Sequence, residues 1–567
     1  WHAVSSEEFR AAVEEVAMGL RALGVSRGDK VAIISENRPE WAFADLATLC
    51  LGAADATIYP TLTAPQVHYI LDDSEAKVVF VSTAAQAAKV AEVRKRLAHV
   101  QHVVRFDPGP APGTTSLDEL RAKGREALAA DREAVRREVA SVKSGDLATL
   151  IYTSGTTGDP KGVMLTHANL MHNVLAAQKI FPMVDHDWTA LSFLPLCHSF
   201  ERTAGHNFML YAGVTIAYAE SVEKVPENMQ EVRPWIMCSV PRLYEKMYAR
   251  VNEKVASDPP LRQKIFRWAI GVGRRTFAHT VARTEPGPLL QLQFALADKL
   301  VFSKIKARTG GRLRLFISGG APLAREIAEF FGAAGMLVCE GYGLTETSPV
   351  ISANYPGRVK PGTVGLPLEH VEVRIAADGE ILTRGPHVMK GYYRKPEATA
   401  EAIDKDGWFH TGDIGFLDRD GCLVITDRKK DIIVTSGGKN IAPQPIENRL
   451  KTNKFFTEVV MIGNRRNFPS ALVVPNFESL EAWAKQQGLT FASREELVRR
   501  PEVRAHYQRL LDELTVDLAQ FEKIKKIALL TKEFTQESGE ITPTLKVKRR
   551  VVEERYKSTI DAMYEGA

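Results

Sequence analysis

Between residues 148 and 167 the chain carries a dense set of groups able to grip an anion. The run Tyr152-Thr-Ser-Gly-Thr-Thr-Gly-Asp-Pro-Lys-Gly162 places hydroxyls at Thr153, Ser154, Thr156 and Thr157, glycines at Gly155 and Gly158, and a cation at Lys161. Glycine lets backbone approach a ligand closely. Successive N–H groups in such a turn converge on an anion, and hydroxyls and a lysine add donors. Apolar runs on both sides, Ala148 to Tyr152 and again after Lys161, read as strands. A P-loop would end in Gly-Lys-Ser/Thr; here Pro160 precedes Lys161 and Gly162 follows it, so that pattern fails. A plain surface hairpin does not need so many hydroxyls. The turn is expected to hold phosphate.

Three further motifs suit a nucleotide. Phe316-Ile-Ser-Gly-Gly-Ala-Pro-Leu323 is a strand entering a Gly319-Gly320 turn, with backbone left bare at the strand's C-terminal end, where α/β sheets bind ligands. In Cys339-Glu-Gly-Tyr-Gly-Leu-Thr-Glu-Thr-Ser348, Tyr342 between Gly341 and Gly343 can stack on a base. Thr345 can bond a phosphate there, and Glu346 offers a hard oxygen to Mg²⁺. In Trp408-Phe-His-Thr-Gly-Asp413, the Asp413 carboxylate can accept two ribose hydroxyls, with the Arg428 guanidinium donating from the other side. Each motif alone is also an ordinary turn, and it is their occurrence together that favours a nucleotide. His198, in Leu194-Pro-Leu-Cys-His-Ser-Phe-Glu201, is by itself as readily a core histidine. Thr435-Ser-Gly-Gly-Lys-Asn-Ile441 is by itself a turn, and the basic Ile541-Thr-Pro-Thr-Leu-Lys-Val-Lys-Arg-Arg550 a solvated tail.

The Tyr152–Gly162 loop resembles the signature loop of the adenylate-forming (acyl-activating) superfamily. With the later motifs, the chain is similar over nearly its whole length to bacterial long-chain fatty-acid–CoA ligases. That resemblance implies ATP, Mg²⁺ and coenzyme A as cofactor and co-substrates. A fatty acid would become an acyl-adenylate with loss of pyrophosphate, then a thioester. It implies that Thr153, Ser154, Gly155, Thr156, Thr157, Gly158 and Lys161 bind the ATP phosphates, and that Gly319, Gly320 and Ala321 form the wall against adenine. Gly341, Tyr342, Gly343 and Thr345 would bind the base and α-phosphate, Glu346 the metal, and Asp413 with Arg428 the ribose. His198 would stand beside the reacting carboxylate. Lys546 would bridge carboxylate and α-phosphate, in a motif where Thr544-Leu545 replaces the family's Ser/Thr-Gly and Lys548 is the neighbouring candidate. Thr153, His198, Glu346 and Lys546 are thus the catalytic candidates. Gly437, Gly438 and Lys439 would move in to bind coenzyme A by rotation about Lys430 in Asp427-Arg-Lys-Lys-Asp431. Some long-chain relatives carry a gating tryptophan four positions after the histidine; here Arg202 stands there. Other acceptors or acids (a carrier protein, medium-chain or aryl acids) stay open. A non-enzymatic nucleotide-binding or membrane-associated regulator would have lost the metal and lysine positions, and both are present.

To hold these residues the chain must be an α/β protein of more than one domain, as 567 residues also argue. Strands at Val31–Ile34, Ala56–Tyr59 and Lys77–Ser82 alternate with helices at Ser6–Leu23, Trp41–Leu51 and Gln66–Leu71, the pattern of a parallel sheet; a further strand is read at Leu191–Leu196. The expected organisation is an N-terminal domain of stacked α/β sheets over 1–427, a hinge at 428–431, and a mobile mixed α+β domain over 432–567. The first would include a helical insertion about 250–309 and a small β-barrel or sheet about 362–427, with a hairpin turn at Asp420-Gly421. Surface packing is one role for the basic insertion and membrane contact another.

Net charge is only +5 and dispersed, which argues against nucleic acid and suits acidic small molecules or weak attraction to an anionic membrane. The five cysteines lie far apart without a Cys-x-x-Cys pair, which suggests neither a zinc site nor a disulfide framework and fits a reducing cytoplasm. The apolar stretch Trp41–Tyr59 is interrupted by Asp45 and Asp55, so no run reaches spanning length. A cytoplasmic enzyme is expected, with peripheral contact at the inner face of the membrane and homodimerisation both open. The opening at Trp1, without methionine or a signal pattern, reads as a trimmed start.

Overall fold

The computed structural model describes residues 1–109, 112–153, 159–535, 537–542 and 546–565. Ser154, Gly155, Thr156, Thr157 and Gly158 of the hydroxylated loop lie outside the described residues, as do Thr544 and Leu545.

The first helix, Ser6–Ala22, opens on a capping box in which Ser5 and Glu8 satisfy each other's backbone N–H. Strands Lys30–Ile34, Ala54–Ile58, Val78–Val81 and His102–Arg105 follow, separated by helices Pro39–Cys50, Ala64–Asp73 and Ala84–Val93. Buried on both faces, these strands pair in parallel. Leu147–Thr153 joins alongside Ala54–Ile58. Lys161–Thr166 and Gly391–Tyr392 then complete an eight-stranded sheet with antiparallel pairings.

A second sheet of seven strands runs Thr215–Tyr218, Thr189–Ser192, Ile236–Ser239, Leu315–Ser318, Leu337–Gly343, Val350–Ala353, Leu366–Pro367. The strand expected over Leu191–Leu196 ends at Ser192, short of Pro195, which has no N–H for a ladder. The stretch read as a helical insertion lies in the crossover between the adjacent parallel strands Ile236–Ser239 and Leu315–Ser318. Its helices Pro241–Ser257, Pro260–Ala282 and Pro288–Ala297 each begin on a proline. Ala269, Val272, Ala297, Phe302 and Ile305 join Phe316 and Phe331 in the core, so the stretch completes the domain.

The β-rich part is a four-stranded antiparallel sheet, Glu372–Ile375, Glu380–Arg384, Phe409–Leu417, Leu423–Arg428, whose outer strands do not pair among the described residues. Its last hairpin turns at Asp420-Gly421, where Gly421 takes φ 78°. Beyond it lies a separate small domain with cores drawn only from residue 433 onward, built on Phe456–Ile462, Ser470–Pro475 and Lys526–Leu529. Contacts to the larger part include Arg242 Nη1 to Glu458 Oε1 at 3.0 Å, Ser479 Oγ to Glu253 Oε1 at 3.3 Å, and Asn448 Nδ2 to the Pro322 carbonyl at 3.4 Å. Polar contacts of this kind allow domain motion.

Candidate active site

The residues singled out by chemistry converge where the C-terminal ends of both large sheets face the four-stranded sheet and the small domain. Strand Leu147–Thr153 delivers Thr153 to the mouth of the hydroxylated loop, opposite Lys161 in the antiparallel register. Lys161–Thr166 packs against the short turn Thr345–Thr347 that ends strand Leu337–Gly343. Gly343 is required there, because a Cβ would lie 1.7 Å from the Pro349 carbonyl oxygen.

Two carboxylates are held differently. Asp413 is buried and accepts the Tyr342 hydroxyl at 2.7 Å, while Arg428 Nε lies 3.3 Å from its other oxygen. Asp413 and Arg428 face each other in the hairpin register, so the pair is set by backbone. Burial raises the Asp413 pKa, and Arg428, the Tyr342 hydroxyl and the Lys546 ammonium oppose the rise. Glu346, half-buried, accepts the Tyr392 hydroxyl at 2.9 Å; the same Tyr392 ring lies 4.9 Å from Lys161 Nζ. Burial raises the Glu346 pKa as well.

Lys546 comes from the small domain, where Thr542 N–H bonds the Lys546 carbonyl (2.8 Å) and Lys546 N–H bonds Thr542 Oγ1 (3.0 Å). Burial and the Arg428 cation lower its pKa to about 8, with Asp413 opposing. Burial, with a further push from Lys546, lowers His198 to about 3. The imidazole is therefore neutral, and its Nδ1 accepts the Phe200 N–H at 3.2 Å, which leaves the proton on Nε2. Of the two candidate lysines, Lys546 faces the cluster; Lys548 instead precedes helix Arg549–Arg555. Ser199 Oγ lies 3.3 Å from Thr345 Oγ1, which ties the His198 segment to the nucleotide-type motif. Gly319 lies under the Phe200 ring, where a Cβ would come within 3.0 Å, and Gly320 and Ala321 are exposed at the strand end. Gly437, Gly438 and Lys439 are not part of the gathering. They form an exposed turn between Ile433–Val434 and Asn440–Ile441, with Lys439 Nζ 5.7 Å from the Phe521 ring. Lys430 sits in the turn directly after Arg428.

Arg202 is fully buried. It pairs with Asp45 and with both oxygens of Asp55 (2.9 and 2.5 Å), reaches Thr149 Oγ1 at 2.6 Å, and lies 5.6 Å from the Trp41 ring. The two aspartates that interrupt the apolar run near the N-terminus are its partners. Arg202 N–H bonds the His198 carbonyl at 3.1 Å, and Thr57 Oγ1 bonds that of Cys197 at 3.2 Å. The histidine segment is thereby fastened to the sheet that carries the hydroxylated loop. All five cysteines are unpaired. Cys197, next to His198, Cys238, Cys339 and Cys422 are buried, and burial pushes every thiol pKa up, Cys50 to about 11.

Sequence reading missed Tyr392, Ser199 and the Arg202 partners. Ser199 could have been found beside His198; Tyr392 lies in a two-residue strand without a pattern of its own. The arrangement gathers an ammonium, a guanidinium, two carboxylates and a neutral imidazole at one sheet edge, which suits moving a phosphoryl-linked group between oxygen nucleophiles.

Comparison with known proteins gives a consistent result. The AMP-binding enzyme family matches residues 1–393, and the AMP-binding enzyme C-terminal domain matches residues 430–567. A long-chain-fatty-acid–CoA ligase of Mycobacterium bovis is 38% identical over 566 residues, covering 100% of this chain and 92% of its own. The peroxisomal long chain acyl-CoA synthetase 7 of Arabidopsis thaliana is 34% identical, covering 97% of this chain and 80% of its own. Among solved structures, ATP-bound MatB from Rhodopseudomonas palustris superposes with TM-score 0.72 at 26% identity, covering 98% of this chain and 94% of its own. The anthranilate CoA ligase AuaEII with anthranoyl-AMP (TM-score 0.73, 20% identity, 98% and 92% covered) shares the fold.

Proposed function

This chain belongs to the AMP-binding enzyme family, and on that premise we propose how its residues divide the work of a long-chain fatty-acid–CoA ligase. The enzyme activates a fatty acid with ATP and passes the acyl group to coenzyme A. A carboxylate is a poor acyl donor because its leaving group would be oxide. One carboxylate oxygen attacks the α-phosphorus of ATP, the bond to the β-phosphate breaks, and pyrophosphate leaves. The coenzyme A sulfur, its proton lost, then attacks the acyl carbon and AMP departs.

The observation that carries the residue assignment is Lys546, brought from the far end of the chain to Asp413, Arg428 and His198. Lys546 bridges carboxylate and α-phosphate, Thr345 and the loop from Thr153 to Lys161 donate to phosphate oxygens, and Asp413 with Arg428 holds the ribose. Adenine lies along Gly319–Ala321 and Tyr342. His198 orients the acid. Attack at phosphorus calls for positioning and charge neutralisation more than covalent help. The experiment is labelled-pyrophosphate exchange with graded saturated acids, then thioester yield with coenzyme A. Exchange that peaks with long acids is expected, and none with any acid would overturn the reading.

Among the described residues no three His, Cys, Asp or Glu side chains gather to hold a metal by themselves. A half-buried Glu346 fits Mg²⁺, which favours one or two carboxylates plus phosphates and water. Bound there, Mg²⁺ would neutralise phosphate charge. Tyr392 orients Glu346, so Tyr392→Phe should raise the Mg²⁺ concentration for half-maximal exchange ~10-fold with little change in the plateau. A magnesium titration checks this, and an unchanged requirement removes Tyr392 from the role.

After adenylation, rotation about Lys430 withdraws Lys546 and brings the Gly437–Lys439 turn to the site to bind coenzyme A. Gly438 takes φ +72°, so a side chain there is strained. Gly438→Val is expected to slow thioester formation ~10-fold or more and to spare pyrophosphate exchange. Equal loss of both half-reactions counts against the swing. The five unpaired cysteines support a reducing, cytoplasmic setting. No helix among the described residues is long and apolar enough to cross a membrane.

A further inference from the structure

The crossover helices present an apolar face that the fold does not cover. Leu290, Phe294, Ala297 and Val301 pack inward against the second sheet, which fixes the orientation of this helical stretch. The opposite side then carries Leu289, Leu292, Leu296 and Leu300, spaced as one stripe, with Leu289 70% and Leu292 69% exposed. The preceding helix adds Leu261, 69% exposed, and Trp268. Single exposed leucines are ordinary, but a stripe of four beside an exposed tryptophan marks an interaction surface.

The charge around this face identifies its partner. Residues 259–309 hold ten Lys or Arg against two Asp or Glu, a local excess of +8 in a chain whose whole net charge is +5. Lys264, Arg267, Arg274, Lys299, Lys304 and Arg308 make no ion pair among the described residues, and all are exposed. Protein interfaces are depleted in lysine. Leucines and a tryptophan set among unpaired cations are the composition of helices that lie in the headgroup layer of an anionic bilayer.

We propose that helices Pro260–Ala282 and Pro288–Ala297 form a docking surface for an anionic lipid bilayer. The leucines and Trp268 enter the acyl boundary, and the cations meet lipid phosphates. The use of this contact, collecting fatty acid from the membrane in which it dissolves, rests on the ligase reading; the contact itself does not.

The test is cosedimentation of the full chain with phosphatidylglycerol–phosphatidylcholine vesicles and with pure phosphatidylcholine. Binding should be at least ~10-fold stronger to the anionic vesicles, and should weaken in about 0.5 M salt, where screening shortens to a few Å. Leu289→Gln/Leu292→Gln/Leu296→Gln, all at exposed sites, should cut partitioning ~10-fold or more while the melting temperature stays put. Lys264→Glu/Arg267→Glu should remove most of the preference for anionic lipid. No binding to anionic vesicles, or undiminished binding by the leucine variant, overturns the proposal. So does a dimer in sedimentation that the leucine variant dissolves while vesicles stay unbound, because the face then belongs to a second copy of the chain. Pyrophosphate exchange with acid supplied free of vesicles should be unchanged in the leucine variant. Absence of exchange in the wild type would defeat the ligase reading and leave the vesicle result standing.

Discussion

Lys546→Ala is expected to lower pyrophosphate exchange ~10²–10³-fold while leaving thioester formation from a supplied acyl-adenylate nearly intact. The small domain brings this ammonium to the cluster of Asp413, Arg428 and His198. A second signature is pH. With the Lys546 pKa lowered to about 8, the free enzyme should lose adenylation kcat/KM as pH rises through about 8, because the lysine then sheds its charge. His198, at about 3, adds no titration near neutrality. The variant should lack that descending limb. Stability runs the other way. A lysine whose pKa falls on folding binds its proton more tightly when unfolded, so below about 8 it destabilises the fold in full, and the penalty fades as pH rises toward the ordinary value of 10.5. Lys546→Ala should therefore melt no lower than wild type at pH 7, as expected of a group kept for function. Unimpaired exchange by a folded variant would sink the assignment.

Arg202→Met is expected to destabilise the large domain by about 3–5 kcal/mol, since it strands Asp45 and Asp55 without their cation. Burial already raises the Asp45 pKa well above the usual range. Arg202 opposes that rise, so with the guanidinium gone Asp45 holds its proton to higher pH still, whereas in the unfolded chain it is ionised above about pH 4. The folded variant then keeps that proton at pH values where the folded wild type sheds it, so its deficit should be larger at pH 8 than at pH 5. Arg202→Lys should recover only part of the loss, because an ammonium cannot span two carboxylates and Thr149 at once. Denaturation at both pH values is the check. Equal losses at pH 5 and 8 would mean that the side chain matters as volume, not as charge.

The sheets were legible because their strands lie next to one another in sequence as well as in space. Val31–Ile34, Ala56–Tyr59 and Lys77–Ser82 were each read within two residues of their observed ends, and the Asp420-Gly421 turn was legible from its φ requirement. The candidate site was legible where a motif holds donors and glycines together, as at Tyr342–Glu346. It was not legible where two distant segments supply one bond. Tyr392 reaches Glu346 only because Gly391–Tyr392 pairs with Lys161–Thr166. Asp45 and Asp55 register in a hydropathy pattern as breaks in an apolar run, and nothing local says that each break is half of an ion pair with Arg202. The packing of the helices from Pro260 onward was not legible for a related reason. Exposed leucines and arginines blur their period, and the few residues that enter the core are visible only against Phe316 and Phe331.

The buried cysteines bear on how this enzyme meets coenzyme A. Disulfide exchange needs a thiolate, and here burial holds every cysteine thiol toward its protonated form, including Cys197 next to His198. The incoming pantetheine thiol therefore finds no partner with which to form a mixed disulfide. When oxidants convert exposed thiols elsewhere in the cell, this catalyst should neither be capped by glutathione nor tether its own co-substrate.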